Sequence, residues 1–475
     1  MDEPLWRLFL CSIFMIGVSR TTDAQTTDTA RTASPETTEL PAKKSKPWRL
    51  DDALGTPDWL KISGTYRIRY EGIEGQFRAR NFAGSRALDT SDHLGVSRAT
   101  LKAELDFDRA GGTLELIDSR HFGAGHGSFL NTGVVDPIDF LQANAELRLP
   151  DVADGNATLR VGRQTMDLGS RRLVARNRFR NTINSFEGVD AQWKKDDTML
   201  RAFWTLPVRR KPTDFESLLD NDPEFDNETS HAQFFGVYYE TVCNDRTIEF
   251  YALGIDEHGS NTARRNLYTP GMRILRKKAV ETLDYEWETA VQFGERTQSN
   301  RVLDHFAWFT HLSFGYTFDA AWKPRVRVAL DYASGDSDPN DNDSGRFDTL
   351  FGARRFEYGP TGIFGAVARS NLLSPELRLE VKPSDRTEAF FAWRAVWLAN
   401  GKDSWTTARL TDTTGAASDF VGNQIEARLR YDICPKNLRL EIGAAHLFAG
   451  DFIEDTVQSR GDDSTFFYTQ LAFTF

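Results

Sequence analysis

From Leu60 onward, apolar and polar residues alternate. "LKISGTYRIRY" puts Leu60, Ile62, Tyr66, Ile68 and Tyr70 on one face and Lys61, Ser63, Thr65, Arg67 and Arg69 on the other. "ATLKAELDF", "PELRLEVK" and "QIEARLRY" repeat the pattern, each with an apolar and a charged row. A period of two with one apolar face is the signature of a β-strand. Eighteen such segments are legible. They start near Leu60, Val96, Thr113, Asp139, Ala157, Phe186, Met199, Ala232, Arg246, Leu267, Glu281, His305, Pro324, Leu372, Arg386, Val421, Asn437 and Thr465.

The connections carry a second signal. Tight turns ("RAGG", "KKDD", "CNDR", "KPSD", "CPKN") follow even-numbered segments. Odd-numbered segments are mostly followed by long polar stretches such as "GQFRARNFAGSRALDTSD" and "KPTDFESLLDNDPEFDNETS". Short turns at one rim and long loops at the other belong to outer-membrane barrels. The pattern predicts an all-β fold, an 18-stranded antiparallel transmembrane β-barrel over residues 58–475.

In such a barrel the apolar row meets lipid and the charged row faces inward. The inward row contains Arg67, Arg69, Arg98, Arg160, Arg325, Arg327, Arg378, Arg394, Arg428, Arg430 and Arg439, together with Lys61, Lys102, Arg148 and Arg201. Glu104, Asp106, Glu146, Glu286, Asp331, Glu380, Glu426 and Glu441 share that face. Two readings stay open: the charges hydrate the pore and brace the wall, or the arginines line a path for a polyanion.

Composition changes this picture at the N-terminus. Arg7 precedes an apolar run from Leu8 to Val18, and Thr22-Asp23-Ala24 offers a small-residue cleavage site, so residues 1–24 read as a secretory signal. Residues 25–57, rich in Thr, Ser, Pro and charge, read as a polar flexible leader, with a helical turn or two expected in "WRLDDALGTPDWL". Cys11 leaves with the signal. Cys243 and Cys434 fall on short turns about eight strands apart, too distant for a disulfide.

The chain of 475 residues is acidic, with 58 Lys+Arg against 69 Asp+Glu. Nevertheless "GRQTMDLGSRRLVARNRFRN" concentrates Arg163, Arg171, Arg172, Arg176, Arg178 and Arg180 at the end of the fifth segment and in the loop after it. Either this is a solvated loop or it is a mouth whose planar guanidinium forks bind carboxylates. Arg163 has the parity of Val161, so simple alternation aims it at lipid. Turning it inward needs a bulge near Gly162 or a position above the membrane.

Other chemistry is thin. The Asp-rich loop from Asp336 to Asp343 is a Ca²⁺ candidate without EF-hand spacing; no cofactor is otherwise expected. His121 and His126 have no third ligand nearby. No serine stands in a nucleophile motif, so the chain reads as a non-enzyme. Nothing points to nucleic acid.

"PDWLKISGTYRIRYE", "GRQTMDLGSRRLV", "NSFEGVDAQW", "YASGD", "FDTLFG", "WLANGKDSW" and "HLFAGDFIED" resemble the recurring blocks of alginate-export outer-membrane barrels, in order over residues 57–475. The resemblance implies an electropositive lumen that passes an anionic polysaccharide outward across the outer membrane. By motif match it singles out Arg163, Gln164 and Asp336. It also implies periplasmic polysaccharide-export components as partners beside the outer-membrane lipid. Some relatives are thought to plug the pore with a loop or a periplasmic turn. Here the turns are short, which leaves "FGAGHGSFLNTGVVDP" as the candidate plug. A general or anion-preferring uptake porin is the alternative function, and a barrel enzyme a third.

Overall fold

The computed structural model describes residues 46–82, 86–259, 263–298 and 300–475. The signal segment 1–24, Cys11 and the leader as far as residue 45 lie outside them. Among the described residues nineteen strands follow in chain order. They are β1 (Leu60–Glu74), β2 (Ser91–Asp106), β3 (Ala110–Phe122), β4 (Asp136–Val152), β5 (Gly155–Gln164), β6 (Phe186–Lys195), β7 (Thr198–Pro207), β8 (Ala232–Cys243), β9 (Arg246–Glu257) and β10 (Arg264–Arg276). Then come β11 (Leu283–Gln298), β12 (Arg301–Thr317), β13 (Arg325–Ala333), β14 (Asp343–Ser344), β15 (Leu372–Ser384), β16 (Thr387–Trp397), β17 (Phe420–Cys434), β18 (Leu438–Ala449) and β19 (Ser464–Thr474).

Eighteen of these make the wall, and each pairs antiparallel with its neighbours. Because β1 pairs with both β2 and β19, the sheet closes on itself and has no free edge. The two-residue β14 is an addition: it pairs parallel with Asp304 and His305 of β12, beyond the point where β13 ends. The eighteen wall strands match the eighteen segments read from the periodicity.

The faces fall as the alternation requires. Along β12, Phe306, Trp308, Leu312, Phe314 and Tyr316 are exposed, whereas His305, Ala307, Phe309, His311 and Ser313 are buried. Tyr66, Ile68 and Tyr70 are exposed on β1, whereas Arg67 and Arg69 are buried. Large apolar side chains outside and charged ones inside is the inverse of a soluble protein, and it fits a wall bathed in hydrocarbon.

Connections at one end are short: 107–109, 153–154, 196–197, 244–245, 277–282, 318–324, 385–386 and 435–437. At the other end most are long, including 123–135, 165–185, 208–231, 334–371 and 398–419; the exceptions are 258–263 and 299–300. The compact unit begins at Pro47. Leu50–Leu54 form the short helix expected before the barrel, and Trp48 stacks on Phe473, 6.0 Å between centroids. Cys243 and Cys434 are free and exposed.

Candidate functional site

Two of the long loops fold down into the barrel. One is 165–185, which carries most of the arginine cluster; the other lies within 345–371. They pair with each other through a parallel bridge between Val174 and Phe351, and Phe351 N donates to Leu173 O at 2.9 Å. Phe351 packs edge-on against the inward rings of Phe186 (5.1 Å) and Phe234 (4.9 Å), and Phe347 packs on Phe309 at 4.9 Å. These two loops therefore enter the lumen, and "FGAGHGSFLNTGVVDP" packs with them: Leu130, Val134 and Val135 are buried in the same core as Val174 and Phe364, and Thr182 N donates to Gly133 O at 3.3 Å.

Backbone placed inside a barrel needs hydrogen-bond partners. Wall arginines supply them. Arg67 donates to the carbonyls of Arg178 and Phe179 at 3.0 Å each and to Asn181 Oδ1 at 2.8 Å. Arg69 donates to Phe179 O at 2.7 Å, and Arg98 to Arg180 O at 3.1 Å. Asn181 Nδ2 reaches the Val134 carbonyl at 2.8 Å and the Ser97 carbonyl at 3.0 Å, so the loop is stitched to several strands.

A buried charge network fastens the loops on the opposite side. Arg172 donates to Glu286 and Glu288 at 2.5 Å each and pairs with Glu357 of the second loop. Arg369 also pairs with Glu357. Arg394 bridges Glu376 at 2.6 Å and Asp331 at 3.2 Å, and Asp331 accepts from His311 at 2.7 Å. Burial opposes the charge on Arg172, but Glu286, Glu357 and Glu288 hold its guanidinium protonated, above its ordinary range. Arg172 is thus an anchor. Of the arginines read as a carboxylate-binding mouth, it is the one already held by three carboxylates.

Most other inward arginines are also paired. Arg160 meets Glu146 at 2.7 Å and Arg325 meets Asp284 at 2.6 Å. Arg327 and Arg378 share Glu376 at 3.3 and 3.0 Å. Arg430 meets Glu441 at 2.5 Å and Arg439 meets Asp432 at 2.6 Å. Arg176 meets Glu115 at 2.6 Å, while Arg180 bonds the side chain of Asn184 at 2.5 Å. Pairs of this kind brace the wall, as the blander reading held.

Three chambers remain in the lumen, lined by paired and unpaired arginines alike. The largest, about 720 Å³, borders the short turn at Lys436 and Asn437 and so opens toward the end with the short turns. Nine arginines (Arg67, Arg98, Arg171, Arg178, Arg355, Arg378, Arg428, Arg430, Arg439) and Lys436 line it, against Asp432 and Glu441. Arg428 pairs with no carboxylate among the described residues; its guanidinium lies 4.6 Å from the Phe390 ring centre. Arg171 likewise sits over the Phe356 ring at 5.1 Å. Arg178 is exposed and meets Asp167 only at 3.4 Å.

Arg171 and Phe356 also border a second chamber of about 550 Å³. On the side of the long loops a third, about 490 Å³, is lined by Arg180, Arg210, Arg265, Arg296, Arg346 and Arg354 against Asp348. Burial and the neighbouring Arg369 push the Arg354 guanidinium down to about 10. Asn177 lines both the first and third chambers, so the inward loops are their shared wall.

The motif-matched residues lie elsewhere. β5 keeps unbroken register with β4 and β6 through Gly162, so no bulge turns Arg163 inward. It keeps the parity of Val161 and is engaged at the rim by Asp139 (3.2 Å), Glu228 (3.1 Å) and Glu187 (3.5 Å). Gln164 is wholly buried. Asp336 accepts from the Asp338 amide at 3.3 Å inside its own Asp-rich loop. None of the three lines the chambers described above.

Arg355, Arg354, Arg210 and Lys436 were not among the residues singled out from sequence. For Arg354 and Arg355 the available signal was the apolar content of 345–371 (Phe347, Leu350, Phe351, Phe356, Ile363, Phe364, Val367), which is too high for a loop in water.

The family described as Alginate export matches residues 58–467. No curated protein matches. Among solved structures, a BenF-like porin from Pseudomonas fluorescens Pf-5 is similar at TM-score 0.56 and 12% identity, covering 88% of this chain and 99% of that one. OpdK from Pseudomonas aeruginosa is similar at TM-score 0.56 and 11% identity, covering 87% and 98%. OprD from Pseudomonas aeruginosa is similar at TM-score 0.53 and 13% identity, covering 88% and 93%. At such identities the likeness concerns the fold.

Proposed function

Because the chain belongs to the alginate export family and forms an 18-stranded channel of the outer membrane, we propose that it passes an anionic polysaccharide, a polyuronate of the alginate kind, outward through its lumen. The observation that carries this is the largest chamber, where Arg67, Arg98, Arg171 and Arg428 pair with no carboxylate among the described residues and stand beside the paired Arg355, Arg378, Arg430 and Arg439. Its position beside the short turns suits a chain arriving from the periplasm, delivered by polysaccharide-export components. Guanidinium forks engage successive uronate carboxylates by charge-assisted hydrogen bonds. A conducting site must also release what it binds. Arg428 and Arg171 meet that demand: stacked on rings, they offer donors without a competing carboxylate.

A second reading has its own support. The inward loops divide the lumen into chambers of about 720 Å³ and less, a size for small carboxylates. On that reading the protein is an anion-preferring uptake porin. Planar-bilayer recording with oligouronates added on the short-turn side separates the two. The export reading expects brief blocks whose duration grows with oligomer length and shrinks with salt. Block that does not lengthen beyond a monomer or dimer supports the porin. Equal block by a neutral oligosaccharide overturns the anion path altogether.

A further inference from the structure

Three aspartates converge at the rim on the side of the long loops, with Arg180 and Arg210 of the third chamber near Asp136 but beyond ion-pair distance. "VVDPID" places Asp136 and Asp139 three residues apart at the start of β4. In a regular strand such residues point to opposite faces. Here Ile138 has φ +49°, and between β3 and β4 the register slips across Ile117 and Ser119. The kink exposes Ile138 and Phe140 and buries both aspartates to 2% exposure. Asp226 joins them from loop 208–231: its amide donates to Asp139 Oδ2 at 2.5 Å, and its own Oδ1 accepts from Lys211 N at 2.7 Å. One carboxylate oxygen from each of the three lies within 4.8 Å of the others.

Asp139 and Asp226 have donors, and among the described residues Arg163 is the only cation within ion-pair distance of the group. Asp136 is different. Among the described residues its carboxylate accepts no hydrogen bond and pairs with no cation within 4 Å, and Oδ1 is sealed from solvent. A buried carboxylate without a partner is expensive, and this one is directed at two further carboxylates. We propose that Asp136, Asp139 and Asp226 form a calcium-class divalent-cation site that clasps loop 208–231 to the barrel rim. Calcium takes hard oxygen ligands at about 2.3–2.6 Å, so oxygens on opposite sides of one ion lie about 4.6–5.2 Å apart. Half-buried Asp226 provides the solvent-facing side, where water completes the shell. The occupant is a cation held by all three carboxylates, Asp139 keeping its bond to Arg163 and offering a remaining lone pair.

The test is calcium titration calorimetry on full-length protein refolded in detergent without lipopolysaccharide, after stripping with EDTA. Wild type is expected to bind one equivalent at this site, and calcium to raise its unfolding temperature. The double variant Asp338→Asn/Asp341→Asn, which removes charge from the exposed Asp-rich loop, should keep that binding. Asp136→Asn should weaken it about tenfold or more. Asp226→Asn, on the half-buried loop side, should do the same and decides the matter if Asp136→Asn fails to fold. Wild type without calcium-dependent binding overturns the site, as does full affinity in Asp226→Asn or loss confined to the Asp-rich-loop variant.

Discussion

Arg172 and Arg428 both face the lumen of the same barrel, and they do opposite things. Arg172 lies among Glu286, Glu288 and Glu357, all its charge consumed in joining one inward loop to the other and to the wall. Arg428 has only the face of Phe390 and a chamber crowded with other guanidinium groups. An inward arginine is thus evidence of an anion path only where no carboxylate has claimed it. The net charge of -11 does not contradict an electropositive lumen, because much of the acid is spent in pairs or carried on loops.

The comparison is broken most forcefully at Arg172. Replacing it by Gln removes the cation that Glu286, Glu288 and Glu357 share and leaves Glu357 to Arg369 and Glu286 to Arg273, a loss of about 3–5 kcal/mol for a buried pair broken on one side. The two inward loops should detach, and single-channel conductance should rise several-fold. Wild-type conductance in Arg172→Gln means the loops are held by something else. The neighbouring chamber sharpens the contrast: Arg428→Gln with Arg171→Gln should shorten oligouronate block about tenfold for each guanidinium removed, since a hydrogen bond to a charged group contributes about 1.5–3 kcal/mol. The heat-modifiable gel mobility of a folded barrel should stay as in wild type. A conductance rise like that of Arg172→Gln would show that these two arginines also hold the loops.

A smaller effect is expected with acid. Burial disfavours the Asp348 carboxylate, but Arg265 and Arg296 hold it below the usual carboxylate range. The depressed folded value means that Asp348 stabilises the inward loop above about pH 4, the unfolded value, and that this contribution fades as pH falls through the folded value. Gating noise should therefore increase below about pH 4 in wild type, whereas Asp348→Asn should be noisy at neutral pH and change little on acidification. The smallest change is expected from Arg163→Gln. Its guanidinium is engaged by Asp139, Glu187 and Glu228 at the rim, so the reversal potential in a salt gradient should match wild type. A shift toward cations would return Arg163 to the ion path.

The wall was legible because its signals are local. Period two over ten or so residues, and the parity of short and long connections, needed no knowledge of distant partners, and all eighteen wall strands appear where the alternation put them. The inward direction of Arg67, Arg327 and Arg428 followed from the same parity. What each arginine does there is non-local. Arg67 meets Asn181 across 114 residues, and Arg172 meets Glu357 across 185. No periodicity reports those meetings. They arise because two long loops carry enough apolar surface to prefer the barrel interior, and once inside they bring backbone carbonyls and glutamates that claim the nearest guanidinium groups. Sequence alone determined a closed barrel with a charged interior; only the folding of the loops into it decided which charges brace the plug and which stay free to meet an anion.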